Sequence, residues 1–167
     1  MQVFLIRHPP PLIEPGVCYG RLDVDCCEPG PFADDLRSRL PADIVVYSSP
    51  LRRALRLAWT LSPSVRVDAR LSEIDFGEWE GRRWDDIDKR EIEAWAADVL
   101  NYVPPGGESV AALRARALDF AASLPDHAAI VTHAGVMRVL LGHWRQLPMA
   151  DSLRLEFAFG EFQKIEI

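Results

Sequence analysis

The stretch Val3-Phe4-Leu5-Ile6-Arg7-His8 decides the fold, because four apolar residues run straight into a cation and an imidazole. A strand with one face in water would alternate apolar and polar side chains. An uninterrupted run predicts a central strand covered on both faces, as in α/β proteins. Arg7 and His8 then fall at its carboxyl end, where open α/β sheets collect their ligands. Residues 128–132, AAIVT, repeat the pattern and end in His133, with Ala134-Gly135 and a helix-like run behind them. Two strands that each deliver a histidine into one crevice are the most informative feature of the chain.

Outward from the first strand, PPPLIEPGVCYGRLDVDCCEPGP (residues 9–31) is too rich in proline and glycine for a helix or a central strand. It predicts a long surface loop, packed rather than disordered because it carries Tyr19, Leu22 and Val24. A short amphipathic helix follows at 32–40, stopped by Pro41, and then a buried strand at 44–47. Ser48-Ser49-Pro50 leads into a helix at about 51–61, with Pro50 suited to its first turn. A short strand is expected at 65–68 and a helix at roughly 84–100. Residues 103–107 break that helix, and Glu108-Ser109 open the next, over 110–124. The second histidine-bearing strand and a helix at 136–144 come after it. Residues 153–159 and 162–167, alternating around Gly160, predict a terminal antiparallel hairpin. Strands alternating with helices imply right-handed crossovers and a three-layer α/β/α sandwich with a mostly parallel central sheet. The whole of 1–167 reads as a single domain, with 76–107 outside the alternation as a candidate cap over the crevice.

With 167 residues, 49% of them hydrophobic, the chain buries a sizeable core without metals or cross-links. No stretch approaches the roughly 20 apolar residues of a membrane span, and MQVFLIRH lacks the features of a secretory signal. The expectation is a soluble, cytoplasmic protein with no membrane partner. Cys18, Cys26 and Cys27 fit neither a disulfide framework nor a zinc pattern and are expected as reduced thiols. A formal net charge of -6 argues against a nucleic-acid partner, which needs a broad basic surface. A small anionic ligand needs only a few convergent arginines in a concave site.

Five blocks in order carry a resemblance: LIRH, SSPLRRA, LSEIDFGEWEG, GGES and VTHAG. Together they resemble the histidine phosphatase superfamily, also called the phosphoglycerate-mutase-like family, and they reach from Val3 to about Val139. The short length and the GVCYGRLDV loop are similar to the alpha-ribazole phosphatase branch, which serves the cobalamin pathway. The resemblance implies that His8 is the nucleophile that becomes phosphohistidine. It implies that Arg7 and Arg53 bind phosphate, that His133 is the second pocket histidine and that Glu73 protonates the leaving group. It also implies that Ser109 lines the pocket. No cofactor and no metal are implied; the partner is a small phosphorylated substrate, and the oligomeric state is monomer or homodimer.

The chemistry agrees with these roles. A phosphomonoester dianion repels an anionic nucleophile, so an uncharged imidazole nitrogen suits attack at phosphorus. Arginine forks bind phosphate oxygens in a bidentate way and stabilise charge in the in-line transition state. An acid must protonate the departing oxygen, and a partly desolvated, lidded carboxyl favours that role. Glu73 shares its stretch with Asp75, Glu78 and Glu80, and Asp75 is the alternative donor. Arg52 reads as a solvated first-turn residue, and Arg21 either adds charge at the mouth or pairs with Asp23. His127 and His143 read as surface or helix residues. Trp79, Trp84 and Trp95 read as packing for the cap.

The chain departs from the family at RHPPP, where RHG is usual. Pro9 offers no N–H to phosphate and restricts His8 to extended geometry. A non-catalytic phosphate-binding relative is therefore one alternative. Mutase-like phosphotransfer and protein phosphohistidine phosphatase activity are others. The short, acidic segment IDFGEWEGRRWDDIDKREIEAW favours hydrolysis over a mutase, and a cap disfavours a protein substrate.

Overall fold

In a computed structural model, which describes residues 1–167, the predicted run becomes strand β1, Gln2–Arg7. Its side chains part cleanly. Val3 and Leu5 join one hydrophobic cluster while Phe4 and Ile6 join another, and all four are buried. Strands β2 (Val45–Ser48), β3 (Val65–Val67), β4 (His127–Thr132) and β5 (Phe162–Glu166) complete one sheet in the order β3-β2-β4-β1-β5. All neighbours are parallel except β5, which runs antiparallel to β1.

Helices α1 (Gly30–Arg39) and α2 (Arg52–Leu61) cover the face of Phe4, Ile6 and Val131. Helices α4 (Val110–Ala121) and α5 (Ala134–Trp144) cover the face of Val3, Leu5 and Ile130. These are the three layers expected. The chain leaves β1 towards one face and β4 towards the other, so the carboxyl ends of these neighbouring strands flank a crevice.

Local chemistry sets the boundaries. Ser109 Oγ accepts the Ala112 N–H at 3.1 Å and caps α4. Pro50 sits one residue before the Leu51 cap of α2 and lies outside the first turn. The single helix expected at 84–100 is instead a 3₁₀ turn at Trp84–Asp86 followed by α3, Lys89–Ala97. Asp88 divides them because its side chain accepts the Arg90 N–H and starts a new helix.

The terminal hairpin is not formed. Only β5 is a strand, because it takes the free edge of β1, whereas residues 153–159 fold back past a short helix α6, Met149–Ser152. There Phe157 is buried with Leu153 and Leu155 against α5 and its neighbours, so the alternation marks a buried face without a paired edge.

Segment 76–107 stands apart from the sheet around Trp79, which is fully buried. Trp84 stacks on Trp95 with ring centres 5.8 Å apart, and Trp79 stacks on Tyr102 at 5.8 Å. Cys18 of the proline-rich loop packs into the same cluster, and all three cysteines are free thiols. The loop closes on the start of this segment at Gly20, where a Cβ would lie 2.0 Å from the Ile74 carbonyl oxygen just before it and 2.9 Å from the Phe76 ring. No helix is long and apolar enough to cross a membrane.

Candidate active site

The register of β1 against β4 brings the two histidines together. Arg7 lies opposite Thr132, and the His8 N–H donates to the Thr132 carbonyl at 3.1 Å. His8 and His133 are therefore side by side, with ring centres 5.1 Å apart. The carboxyl end of β2 adds Ser49, whose Oγ lies 2.8 Å from His133 Nε2. The first turn of α2 adds Arg53. Three adjacent strand ends and one helix start thus converge, as the sequence predicts for His8, His133, Arg7 and Arg53.

His8 Nδ1 lies 2.6 Å from the Pro9 carbonyl oxygen. A carbonyl only accepts, so Nδ1 carries the proton and Nε2 keeps its lone pair. Pro9 thus lacks an N–H for a ligand, yet its carbonyl orients the ring. Burial, helped by the charges of Arg53 and Arg7, pushes the His8 pKa down to about 3. Complete burial, then Arg53 and His8, hold His133 well below the ordinary imidazole range. Both rings are neutral at pH 7.

The arginines are partly committed. Arg7 Nη1 donates to the Phe157 carbonyl, and its guanidinium carbon lies 3.9 Å over the Phe159 ring. Arg53 is fully buried and donates Nη1 to the Leu22 carbonyl and Nη2 to the Gly20 carbonyl. Its terminal fork is thus spent on the loop rather than held open for a bidentate ligand. Burial lowers the pKa of both guanidinium groups. Only three buried side-chain polar atoms have no partner, namely Arg7 Nε, Arg53 Nε and His133 Nδ1, and all three belong to this site. Orphaned buried donors are rare in folded proteins, and Arg7 Nε and Arg53 Nε, which can only donate, are two of them beside His8.

The acidic stretch sorts itself by partner. Glu73 Oε1 accepts the Ile74 N–H at 2.9 Å, and Oε2 accepts the Gly135 N–H at 3.0 Å. Glu73 lines a cleft of about 250 Å³ together with Arg7, His8, Tyr19, Trp84 and Arg138. Asp75, the alternative donor, accepts the Gly77 N–H and faces Arg21 at 3.6 Å, away from this lining. Glu80 receives the backbone N–H groups of Arg21, Leu22 and Phe76, and Glu78 is exposed.

Two peripheral expectations change. Arg21 pairs with Asp75 and Glu108, while Asp23 binds Arg52, because the loop turns Arg21 towards 73–76. Ser109 is not in the cleft wall; its hydroxyl is occupied in capping α4. His127 and His143 are exposed. Tyr19, Ser49 and Arg138 escaped the reading of the sequence as site residues. Ser49 alone left a signal, at the end of the second strand. No group of three or more His, Cys, Asp or Glu side chains is arranged to hold a metal ion. A larger hollow, about 600 Å³ beside Gln2, Ile44, Asp126 and His127, lies at the opposite, amino end of the strands and gathers no orphaned donors.

A sheet whose β1 and β4 each end in a buried histidine defines a class, and the chain belongs to it. The family model of the histidine phosphatase superfamily (branch 1) matches residues 3–167. A putative phosphoserine phosphatase 2 of Hydrogenobacter thermophilus is 30% identical over 155 residues, covering 84% of this chain and 76% of that protein. The glucosyl-3-phosphoglycerate phosphatase of Mycobacterium tuberculosis is 32% identical over 79% of this chain and 69% of its own length. The adenosylcobalamin/alpha-ribazole phosphatase of Salmonella typhimurium is 30% identical over 58% of this chain and 52% of its own. Among solved structures, TTHB049 of Thermus thermophilus superposes with a TM-score of 0.81 at 31% identity, covering 99% of this chain and 94% of that one. The fold is thus the phosphoglycerate-mutase-like one, and phosphatases recur among the relatives.

Proposed function

We propose that the protein is a phosphomonoesterase that hydrolyses a small phosphorylated metabolite through a phosphohistidine on His8. The observation that carries this reading is the His8 ring, neutral and tied through Nδ1 to Pro9, with the orphaned donors Arg7 Nε and Arg53 Nε and the unpartnered His133 Nδ1 among its neighbours. His8 Nε2 attacks phosphorus, and the bond from phosphorus to the ester oxygen breaks as Glu73 gives that oxygen its proton. Arg7 Nε, Arg53 Nε and His133 Nδ1 hold the phosphoryl oxygens as charge spreads over them. Water then attacks phosphorus and yields its proton to Glu73, and the phosphorus–nitrogen bond breaks to restore His8. The reaction as written uses no metal and no cofactor.

The relatives act on different leaving groups, and fold and site fix the reaction better than the substrate. Alpha-ribazole phosphate is the candidate suggested by the GVCYGRLDV loop, and it belongs in any substrate panel. The test is hydrolysis of p-nitrophenyl phosphate in EDTA. His8→Ala is expected to lower kcat by at least about 10³-fold. A ³²P-labelled substrate quenched in alkali is expected to leave label on the wild-type chain. Activity lost to EDTA, or retained by His8→Ala, would overturn the reading.

A further inference from the structure

Arg138 is a cation in the wall of the cleft that the proposed reaction does not use. It lies one turn beyond Ala134 and Gly135, so all three share the face of α5 that lines the cleft. Its Nε donates to the Leu155 carbonyl at 2.8 Å. Nη1 and Nη2 make no hydrogen bond within the chain, and Arg138 forms none of its ion pairs. Nearby arginines behave otherwise: Arg116 pairs with Glu108, and Arg21 pairs with Asp75 and Glu108. Arg138 is also close enough to Arg7 for the two positive charges to oppose one another. Glu73 and Glu161 lie close enough to offset part of the Arg7 charge, whereas Arg138 has no carboxylate in ion-pair contact and keeps charge to spare for an anion.

The phosphoryl oxygens already have Arg7, Arg53 and His133. Arg138 instead shares the α5 wall with Gly135, whose N–H holds the Glu73 carboxylate. Because Glu73 protonates the ester oxygen, the leaving portion departs along this wall. The remaining lining, Val17, Tyr19, Ile74, Phe76 and Trp84, is apolar or aromatic, so Arg138 is the one cation of the lining besides Arg7 that the leaving portion can meet. The free end of an arginine fork matches a carboxylate. At about 250 Å³ the cleft is smaller than pockets for drug-sized ligands, which points to a compact leaving portion.

We propose that Arg138 is a specificity residue that reads a carboxylate on a compact leaving portion, so the preferred substrates are small phosphorylated hydroxy or amino acids. This inference rests on the phosphomonoesterase reading above.

The test measures competitive inhibition of p-nitrophenyl phosphate hydrolysis by two matched pairs. O-phosphoserine is compared with O-phosphoethanolamine, which lacks only its carboxylate. 3-Phosphoglycerate is compared with glycerol 3-phosphate, in which a hydroxymethyl group replaces the carboxylate. The wild type is expected to prefer the carboxylated member at least tenfold. In Arg138→Gln, which keeps a donor for Leu155, the ratio falls to within about twofold, and Arg138→Lys lies between. A wild-type ratio near one overturns the proposal and leaves the phosphatase reading standing. So does an equal loss on both members of each pair, which marks Arg138 as merely structural. Absence of His8-dependent turnover on p-nitrophenyl phosphate removes both.

Discussion

Gly135 has no side chain because Glu73 occupies the place of one: a Cβ there would lie 2.2 Å from Glu73 Oε1. The obstacle is the tip of a flexible side chain, so Gly135→Ala is expected to fold with stability changed by less than about 1 kcal/mol. The carboxylate, however, must leave its two backbone N–H donors. Turnover should fall on the order of 10²-fold with little change in KM, as expected for a misplaced general acid. Paired thermal melts and kinetics check this, and full activity would argue against Glu73 as the donor. The histidines make a second prediction at this scale. His8 has its folded pKa depressed to about 3, and His133 moves in the same direction. Below the ordinary value near 6.5 the unfolded chain takes up protons that the folded chain refuses. Stability should therefore rise with pH between about 3 and 6.5 and be level above, by at most about 1.4 kcal/mol per pH unit for each ring. Urea unfolding at pH 7, 6, 5 and 4 reads the slope, which should be shallower in His8→Gln.

The segment that carries Glu73 is held by an element far from it in sequence. From α4, Arg116 donates Nη1 to the carbonyls of Arg70 and Ser72 and Nη2 to that of Glu73, and it also binds Glu108 at the foot of the helix. The pair is largely buried, and Arg116→Met leaves Glu108 with only the more exposed Arg21 and three carbonyls without their donor, which should cost about 2 kcal/mol. Because the backbone of 70–73 loosens as well, kcat should drop even at temperatures where the variant is fully folded, which circular dichroism beside the assay would show. This element-scale wiring explains what was legible in the sequence. His8 and His133 were visible because each ends an apolar run, and strand ends converge in any parallel sheet. Arg116 and Arg138 were not, since an arginine in an amphipathic helix ordinarily faces water, and their partner carbonyls are recognisable only after folding. Asp75 and Glu73 looked alike for the same reason. The terminal hairpin failed differently: its period of two was real, but β5 had taken the only edge beside β1. Residues 153–159 instead lend carbonyls to Arg7 and Arg138.

Across the whole molecule, a net charge of -6 is compatible with the proposed anion site because many of the acids are paired elsewhere. Asp23 and Asp25 meet Arg52, Asp25 and Glu28 meet Arg56, and Asp68 and Asp119 meet Arg70. Arg7, Arg53 and Arg138 keep no such partner, so the field in the crevice is set locally and the charge sum is silent about it. Burying two guanidinium groups and two neutral rings without an anion destabilises the free protein, so an anion that completes the site should stabilise the fold. Vanadate, whose trigonal bipyramid mimics the in-line geometry, is the probe. At 100 times its Kd it should add about 2.7 kcal/mol. For a chain of this size that raises Tm by roughly 5 to 10 °C. The shift should vanish in Arg53→Met and persist in 0.5 M sodium chloride, because salt screens exposed charges far better than buried ones. A shift that salt removes, or that Arg53→Met retains, would mean that vanadate sits on surface cations and that the crevice is not the anion site.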